Sequence, residues 1–117
     1  SLNFSKKSTK KELIKRLYLA VDYIYAFYNQ PIKLEELAQI SCLSKYHFLR
    51  SFKQAFGLAP YQFIQQIRFK KALYLLENSQ ATLQEIADVI GLENASSLSR
   101  MFFRTSGAYP SAYRKSY

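Results

Sequence analysis

The sequence has few of the residues on which metal sites, disulfides and many catalytic sites depend. Its 117 residues include one cysteine (Cys42), one histidine (His47) and no tryptophan. A single cysteine excludes a disulfide within the chain and is typical of a protein kept in a reducing compartment. A histidine without a second histidine or paired cysteines lacks the usual zinc-ligand spacing. We therefore expect no bound metal and no cofactor.

Other patterns that would assign a function class are also missing. No apolar run approaches the ~18 residues of a membrane-spanning helix, and the opening SLNFSKKSTKK lacks the apolar middle of a signal peptide. There is no glycine-rich phosphate loop and no Ser/His/Asp set. The sequence therefore predicts neither an enzyme nor a membrane protein.

Acidic residues are absent from two long stretches of a chain whose net charge is +9. No acid lies between Glu36 and Glu77, where the basic residues are Lys45, Arg50, Lys53, Arg68, Lys70 and Lys71. No acid follows Glu93, where the basic residues are Arg100, Arg104, Arg114 and Lys115. Such segregation predicts a face that binds a polyanion, although a merely soluble basic surface gives the same total charge.

Helical patterns account for nearly the whole chain, since glycine and proline number three each and no strand-like alternation persists. We predict helices over Lys10–Tyr28, Leu34–Ile40, Lys45–Phe56, Pro60–Asn78, Leu83–Ile90 and about Ala95–Ser106, with a last short helix from Pro110. Ser44 and Thr82 are good N-cap residues, and Gly57 and Gly107 are good helix ends. The predicted fold class is all-α.

The two halves of the chain repeat each other. Leu34, Glu36, Ala38 and Leu43 lie forty-nine residues before Leu83, Glu85, Ala87 and Leu92. Phe52, Gly57 and Pro60 lie fifty residues before Phe102, Gly107 and Pro110, so the second copy has one extra residue in its turn or at the start of its second helix. A short helix, a tight turn and a second helix form a helix-turn-helix pattern. The spacing therefore indicates an internal duplication of that pattern.

The second helix of each copy separates into two faces on a helical wheel. In the first copy Phe48, Phe52 and Ala55 are predicted to face inward, and Tyr46, Arg50 and Lys53 outward. In the second copy Leu98 and Phe102 are predicted to face inward, and Ser96, Arg100 and Phe103 outward, with Ser97 and Arg104 at the edge. Exposed arginine and serine on such a helix suit the base edges of a DNA major groove.

The helix Pro60–Asn78 joins the two copies. At ~1.5 Å per residue it spans roughly 28 Å, which is close to the ~34 Å between successive major-groove segments on one face of DNA. A single chain could therefore place one helix in each of two successive grooves, on an asymmetric site.

Two stretches resemble the DNA-binding region of the AraC/XylS family of bacterial transcription regulators. They are LEELAQISCLSKYHFLRSFKQAFGLAPYQFIQQIRFKKALYLLEN and LQEIADVIGLENASSLSRMFFRTSGAYPSAYR. The second contains the family's most specific run, in which I-A-x-x-x-G-L precedes S-R-M-F-F-R and G-x-x-P-x-x-Y-R. The resemblance covers Lys10 to Arg114 and implies about seven helices in two homeodomain-like helix-turn-helix subdomains. Its domain would be 10–117, with units 10–58 and 80–117 around a linker 59–79, after a flexible tail or fragment boundary at 1–9.

The resemblance also implies which residues bind DNA. Base-reading positions fall on Tyr46, Leu49, Arg50, Ser96, Ser97 and Arg100, and backbone contacts on Ser44, Lys45, Lys53, Asn94 and Arg104. Three residues depart from the family pattern. Leu49 stands where a polar reader is common, and Lys33 replaces the usual Ser or Thr cap. Phe103 stands where lysine is common, which weakens phosphate binding by the second copy or places the ring in the core.

By resemblance, the expected function is sequence-specific binding of double-stranded DNA by a bacterial transcription regulator of the activator type, in the cytoplasm on the nucleoid. RNA polymerase is a further expected partner, as is a separate N-terminal effector or dimerisation domain. One alternative is a helical protein-interaction module with a basic surface. This alternative would be favoured if the basic surface proved dispensable for binding any partner. Another is a basic amphipathic binder of anionic membranes. The duplication favours the DNA-binding interpretation.

Overall fold

A computed structural model describes residues 6–114, with side chains from Thr9 onward. The described elements are α1 (Lys6–Phe27), α2 (Leu34–Ile40), α3 (Lys45–Phe56), α4 (Pro60–Asn78), α5 (Leu83–Ile90), α6 (Ala95–Ser106) and a 3₁₀ turn, Pro110–Ala112. Every regular element in this range is helical, which confirms the all-α prediction. The seventh helix is a single 3₁₀ turn. Within residues 6–114, no helix combines the length and the apolar character needed to cross a membrane.

Helices α2 to α6 have the predicted limits, whereas α1 differs at both ends. It begins at Lys6 instead of Lys10 and ends at Phe27 instead of Tyr28. Four residues of the predicted tail 1–9 are therefore helical, and residues 1–5 lie outside the described range. The prediction was wrong for Lys6–Thr9 because this turn lacks the apolar period used to find helices. It also lacks glycine and proline, so nothing in its composition stops the helix.

The chain forms two compact units, each with its own core. Of the described residues, the first unit contains α1 together with Ile32–Gln62. Its fully or nearly fully buried apolar residues are Leu17, Ala20, Val21, Ile24, Leu37, Ala38, Phe48 and Phe52. Phe52 lies 4.7 Å from Phe56 between ring centroids, and Phe56 in turn lies 5.5 Å from Tyr18. These contacts fix α3 against α1 within this unit.

Glu36 anchors the start of α2. One carboxylate oxygen accepts a hydrogen bond from the backbone N–H of Lys33 at 3.2 Å, and the other accepts from the Tyr23 hydroxyl at 2.9 Å. Because a lysine side chain cannot accept a hydrogen bond, only the glutamate half of a capping box operates here. In α5 both halves are present, since Thr82 Oγ1 accepts from Glu85 N and Glu85 accepts from Thr82 N.

Of the described residues, the second unit contains Tyr28–Pro31 and residues 63–114. Its buried cluster consists of Ala72, Leu76, Ile86, Ala87, Ile90, Leu98, Met101 and Phe102. Phe102 contacts Phe69 and Tyr113, with ring centroids 4.6 and 5.7 Å away. Arg68 donates hydrogen bonds to the backbone carbonyls of Tyr28 at 2.8 Å and Gln30 at 3.3 Å. The segment between α1 and α2 is thereby held in this unit.

The turns of the two helix-turn-helix copies share one backbone geometry. Cys42 and Gly91 both have positive φ, 56° and 85°. The next residue donates its N–H to the alanine of the short helix in both copies, Leu43 to Ala38 at 3.0 Å and Leu92 to Ala87 at 2.8 Å. Leu43 and Leu92 lie forty-nine residues apart, whereas the N-cap residues Ser44 and Asn94 lie fifty apart. The extra residue of the second copy therefore lies in its turn, between Leu92 and Asn94.

Gly91 cannot be replaced without moving backbone. A Cβ placed there would lie 2.6 Å from the carbonyl carbon of Asn29 and closer still to its oxygen. Gly107 has a similar φ of 77°, but a Cβ there would meet nothing within 4 Å. Substitution of Gly107 would therefore introduce backbone strain alone, whereas substitution of Gly91 would introduce the same strain together with a steric clash.

We expect Gly91→Ala to destabilise the protein more than Gly107→Ala. Left-handed geometry alone costs a non-glycine residue about 1–2 kcal/mol, and this cost applies to both variants. Gly91→Ala adds a clash in the overpacking range of about 1–3 kcal/mol. Urea unfolding of both variants measures the difference, and equal losses would contradict a close approach of Asn29 to Gly91.

Candidate nucleic-acid interface

Helix α3 presents a polar face that its N-cap fixes in place. Ser44 Oγ accepts a hydrogen bond from the backbone N–H of His47 at 3.1 Å, and Gly57 ends the helix with φ 79°. Tyr46 is 72% exposed, Arg50 is exposed and Leu49 is half-buried. Of the three expected base-reading residues, Tyr46 and Arg50 are therefore exposed. The half-buried Leu49 lies at the margin of this face.

The inward face of α3 differs from the wheel at two positions. Phe48 and Phe52 are buried as predicted, but Ala55 is exposed and Ser51 is buried instead. In the last turn Phe56 takes the core position, through its contacts with Phe52 and Tyr18. Ala55 lies about 100° around the helix from Phe56, so the side chain falls outside the packed arc.

A groove of about 320 Å³ runs along α3 beside α1. Its walls are formed by Leu13, Tyr46, His47, Arg50, Ser51 and Gln54. Two of the expected base-reading residues therefore share one concave surface with His47 and Gln54, which are not among the residues expected to bind DNA. The repeat contained a signal for His47, because it lies fifty residues before Ser97, an expected reader in the second copy.

Helix α6 has the same arrangement of N-cap, exposed polar face and C-terminal glycine as α3, but with different side chains. Asn94 Oδ1 accepts a hydrogen bond from the backbone N–H of Ser97 at 2.9 Å, and Gly107 ends the helix. Ser96 and Arg100 are exposed, while Ser97 is half-buried. Ser97 Oγ accepts a hydrogen bond from Arg100 Nη2 at 3.1 Å. The guanidinium of Arg100 is thus oriented by a neighbouring hydroxyl, and part of its donor set is already in use.

Phe103 lies outside the core. Its side chain is 51% exposed and stacks on Tyr109, which is 56% exposed. The ring centroids are 5.0 Å apart and the planes differ by 26°. Of the two expectations for this departure from the family pattern, a ring in the core is therefore excluded.

The residues expected to bind the DNA backbone are all exposed, but one of them has an acidic neighbour. Ser44, Asn94, Lys53 and Arg104 are solvent-accessible, the last two near the ends of α3 and α6. Lys45 Nζ lies 3.1 Å from a carboxylate oxygen of Glu35 on α2. A hydrogen bond from the backbone N–H of Glu35, and then the Lys45 ammonium, hold the pKa of that carboxyl below its ordinary value.

The described residues contain no cluster of histidine, cysteine, aspartate and glutamate able to hold a metal ion.

Comparison with known families matches a helix-turn-helix domain model over residues 37–116. Among curated proteins, the MmsAB operon regulatory protein of Pseudomonas aeruginosa is 30% identical over 101 residues, which cover 83% of this chain and 33% of that protein. The chain spans 33% to 47% of the length of the first curated relatives that it matches. These relatives are therefore longer proteins.

The chain also resembles solved domains of transcription regulators. The C-terminal domain of AraT, a response regulator from Geobacillus stearothermophilus, superimposes with a TM-score of 0.80 at 28% identity, over 87% of this chain and 85% of that one. The DNA-binding domain of AdpA, a global transcriptional factor solved in complex with a target DNA, has a TM-score of 0.72 at 29% identity, over 88% and 89%.

We expect Glu35→Gln to strengthen binding to every duplex, because the change removes a negative charge and releases Lys45 for a phosphate. The salt dependence of log K should become steeper by up to about one unit. Fluorescence anisotropy with labelled duplexes at several salt concentrations measures both quantities.

Glu12→Gln is the matched control, since Glu12 pairs with Arg16 at 3.5 Å on α1. We expect it to leave the slope unchanged. Equal effects of the two variants would assign the gain to net charge and contradict a phosphate contact by Lys45.

Proposed function

The chain belongs to the AraC/XylS-type helix-turn-helix transcription regulators, and from this premise we propose that it binds duplex DNA sequence-specifically through α3 and α6. The observation that carries the proposal is the matched exposed arginine. Arg50 and Arg100 occupy the sixth position of two twelve-residue helices, each N-capped by a side chain and ended by a glycine. The two arginines are not needed to stabilise the cores of the duplicated fold, because the core residues of α3 and α6 lie on the opposite faces of these helices.

Each helix reads bases with a different set of side chains. In α3, Arg50 pairs with a guanine edge, Tyr46 contacts the neighbouring base, and Leu49 packs on a thymine methyl group. In α6, Arg100 pairs with guanine, while Ser96 and Ser97 bond to base edges or phosphates. Lys53 and Arg104 bind phosphates, and the N-termini of α3 and α6, at Ser44–Lys45 and Asn94, offer free N–H groups to the backbone.

The two helices occupy successive major grooves of one asymmetric site. The length of α4 supports this arrangement, because its nineteen residues span roughly 28 Å, close to the ~34 Å repeat of the groove. One chain then supplies both contacts, without a second copy of itself.

The longer lengths of the relatives suggest how the domain is used. In the full-length protein an N-terminal effector or dimerisation domain controls it, and the bound complex activates transcription through RNA polymerase. This activity takes place on the nucleoid in a bacterial cytoplasm and involves no enzymatic reaction.

Selection of bound duplexes from a random pool, at near-physiological salt, tests the proposal directly. We expect an asymmetric motif with two blocks about one helical turn, ~10 base pairs, apart. A single short block would contradict reading by both helices. No enrichment at all would contradict sequence-specific binding by this chain and favour the protein-interaction alternative.

We expect Arg100→Ala to cost about 1–3 kcal/mol of binding free energy and to relax specificity at one base pair of the α6 block. Arg100→Lys is the matched variant, because it keeps the charge but loses the bidentate geometry. It should retain the salt slope and still lose the base preference. Equal weakening on all sequences by both variants would refute a base-reading role.

A further inference from the structure

The second unit carries a stacked pair of exposed aromatic rings that the base-reading scheme does not use. Phe103 and Tyr109 each leave about half of their surface in solvent, at 51% and 56%. Their rings nevertheless contact each other at a centroid distance of 5.0 Å and an angle of 26°. Gly107, with φ 77°, reverses the chain between them. The pair is therefore a preformed apolar step, and little side-chain entropy remains to be lost when a partner covers it.

The position of this step is continuous with the proposed DNA surface. Phe103 follows Arg100 by three residues, so the two side chains lie one helical turn apart on the same face of α6. Arg104 is the next residue and is also exposed. A partner that covers both arginines therefore also covers Phe103. No acidic residue follows Glu93 in the sequence, so this surface suits a polyanion better than a basic or neutral protein.

In the first unit, the position equivalent to Phe103 is occupied by a lysine. Phe103 lies fifty residues after Lys53, and Tyr109 lies fifty after Ala59. Lys53 is exposed in the last turn of α3. At this point of the shared framework the first copy therefore has an exposed cation, and the second copy has two aromatic rings. A phenyl ring cannot replace an ammonium at a phosphate oxygen, so the second copy needs a different contact surface there.

We propose that the Phe103–Tyr109 pair packs against deoxyribose rings of the DNA backbone beside α6, with the Tyr109 hydroxyl donating a hydrogen bond to a phosphate. This inference rests on the proposed function. A DNA strand offers both surfaces side by side, apolar C–H groups on the sugar and acceptor oxygens on the phosphate. The contact carries no base information, so it positions α6 without specifying sequence.

At this one position the two copies consequently bind the backbone by different physics. Lys53 displaces a counterion, so its contribution falls as salt rises. Burial of the aromatic pair releases no counterion, and its contribution persists at high salt. The contact of Phe103 and Tyr109 should therefore persist at salt concentrations that weaken the contact of Lys53.

The test compares variants on the duplex found by selection. We expect Phe103→Ala to weaken binding roughly tenfold on operator and scrambled duplexes alike, with an unchanged salt slope. Phe103→Lys should recover affinity at low salt and steepen the slope by about one, and Lys53→Ala should lower it by about one. Tyr109→Phe should weaken binding about threefold through the lost hydrogen bond. Tyr74→Ala, which removes another exposed ring (58%) from α4, is the matched control and should change nothing.

A direct readout is available because the sequence contains no tryptophan. Phe103→Trp places a single indole at the step, and its fluorescence should shift to shorter wavelength on binding the operator. Tyr74→Trp should not respond. Circular dichroism and thermal unfolding of each variant confirm that the fold is retained before binding is compared.

The opposing results are distinct. Unchanged affinity of Phe103→Ala together with a silent Phe103→Trp would overturn the proposal and leave the pair to a protein partner. Loss of preference at one base pair in Phe103→Ala would overturn the backbone assignment in favour of base reading. Failure of the unmodified protein to enrich any duplex would instead refute the proposed function itself.

Discussion

The candidate site depends on one constraint, the turn between the two helices of each helix-turn-helix copy (α2 and α3, α5 and α6). After α2 and α5 the backbone must enter the left-handed region, so that the following residue can donate its N–H back to the buried alanine. This bond closes each turn, and the caps Ser44 and Asn94 then fix the starts of α3 and α6. The exposed arginines owe their matched positions to that geometry. Glycine meets the requirement without strain in the second copy, whereas Cys42 meets it with a side chain present.

The two copies also differ at the residue that directly precedes the positive-φ position of the turn. Ser41 is fully buried in the first unit, and its hydroxyl has no hydrogen-bond partner among the described residues. Its counterpart Ile90 is an apolar core residue of the second unit. The first unit therefore carries the cost of an unsatisfied polar group and of a strained turn. The second unit has neither at the corresponding positions, Ile90 and Gly91.

Much of the fold could be predicted because its helix ends are marked by local chemistry. N-caps at Ser44 and Thr82 and glycines after α3 and α6 act within a few residues, so five of six helices have their predicted limits. A helical wheel gave the direction of Tyr46, Arg50 and Arg100 for the same reason. The domain limits 10–58, 59–79 and 80–117 and the DNA contacts themselves stay predictions.

The remaining features depend on neighbours that no local pattern reveals. The exposure of Ala55 follows from Phe56 taking the core position. The pairing of Lys45 with Glu35 joins two helices across a turn. The stacking of Phe103 on Tyr109 needs the chain reversal at Gly107, and the groove beside His47 needs α1. Each depends on tertiary structure.

The discontinuity of the second unit limits how its helix-turn-helix could be exchanged between proteins. Its core region is complete only with Tyr28–Pro31, which supplies the carbonyls for Arg68 and the backbone against Gly91. A cassette cut at the start of α4 would leave that segment behind, and the transplanted piece would expose part of its own interior. A chimera that moves the second copy of this chain into another protein should therefore carry the loop after α1 with it, as one block.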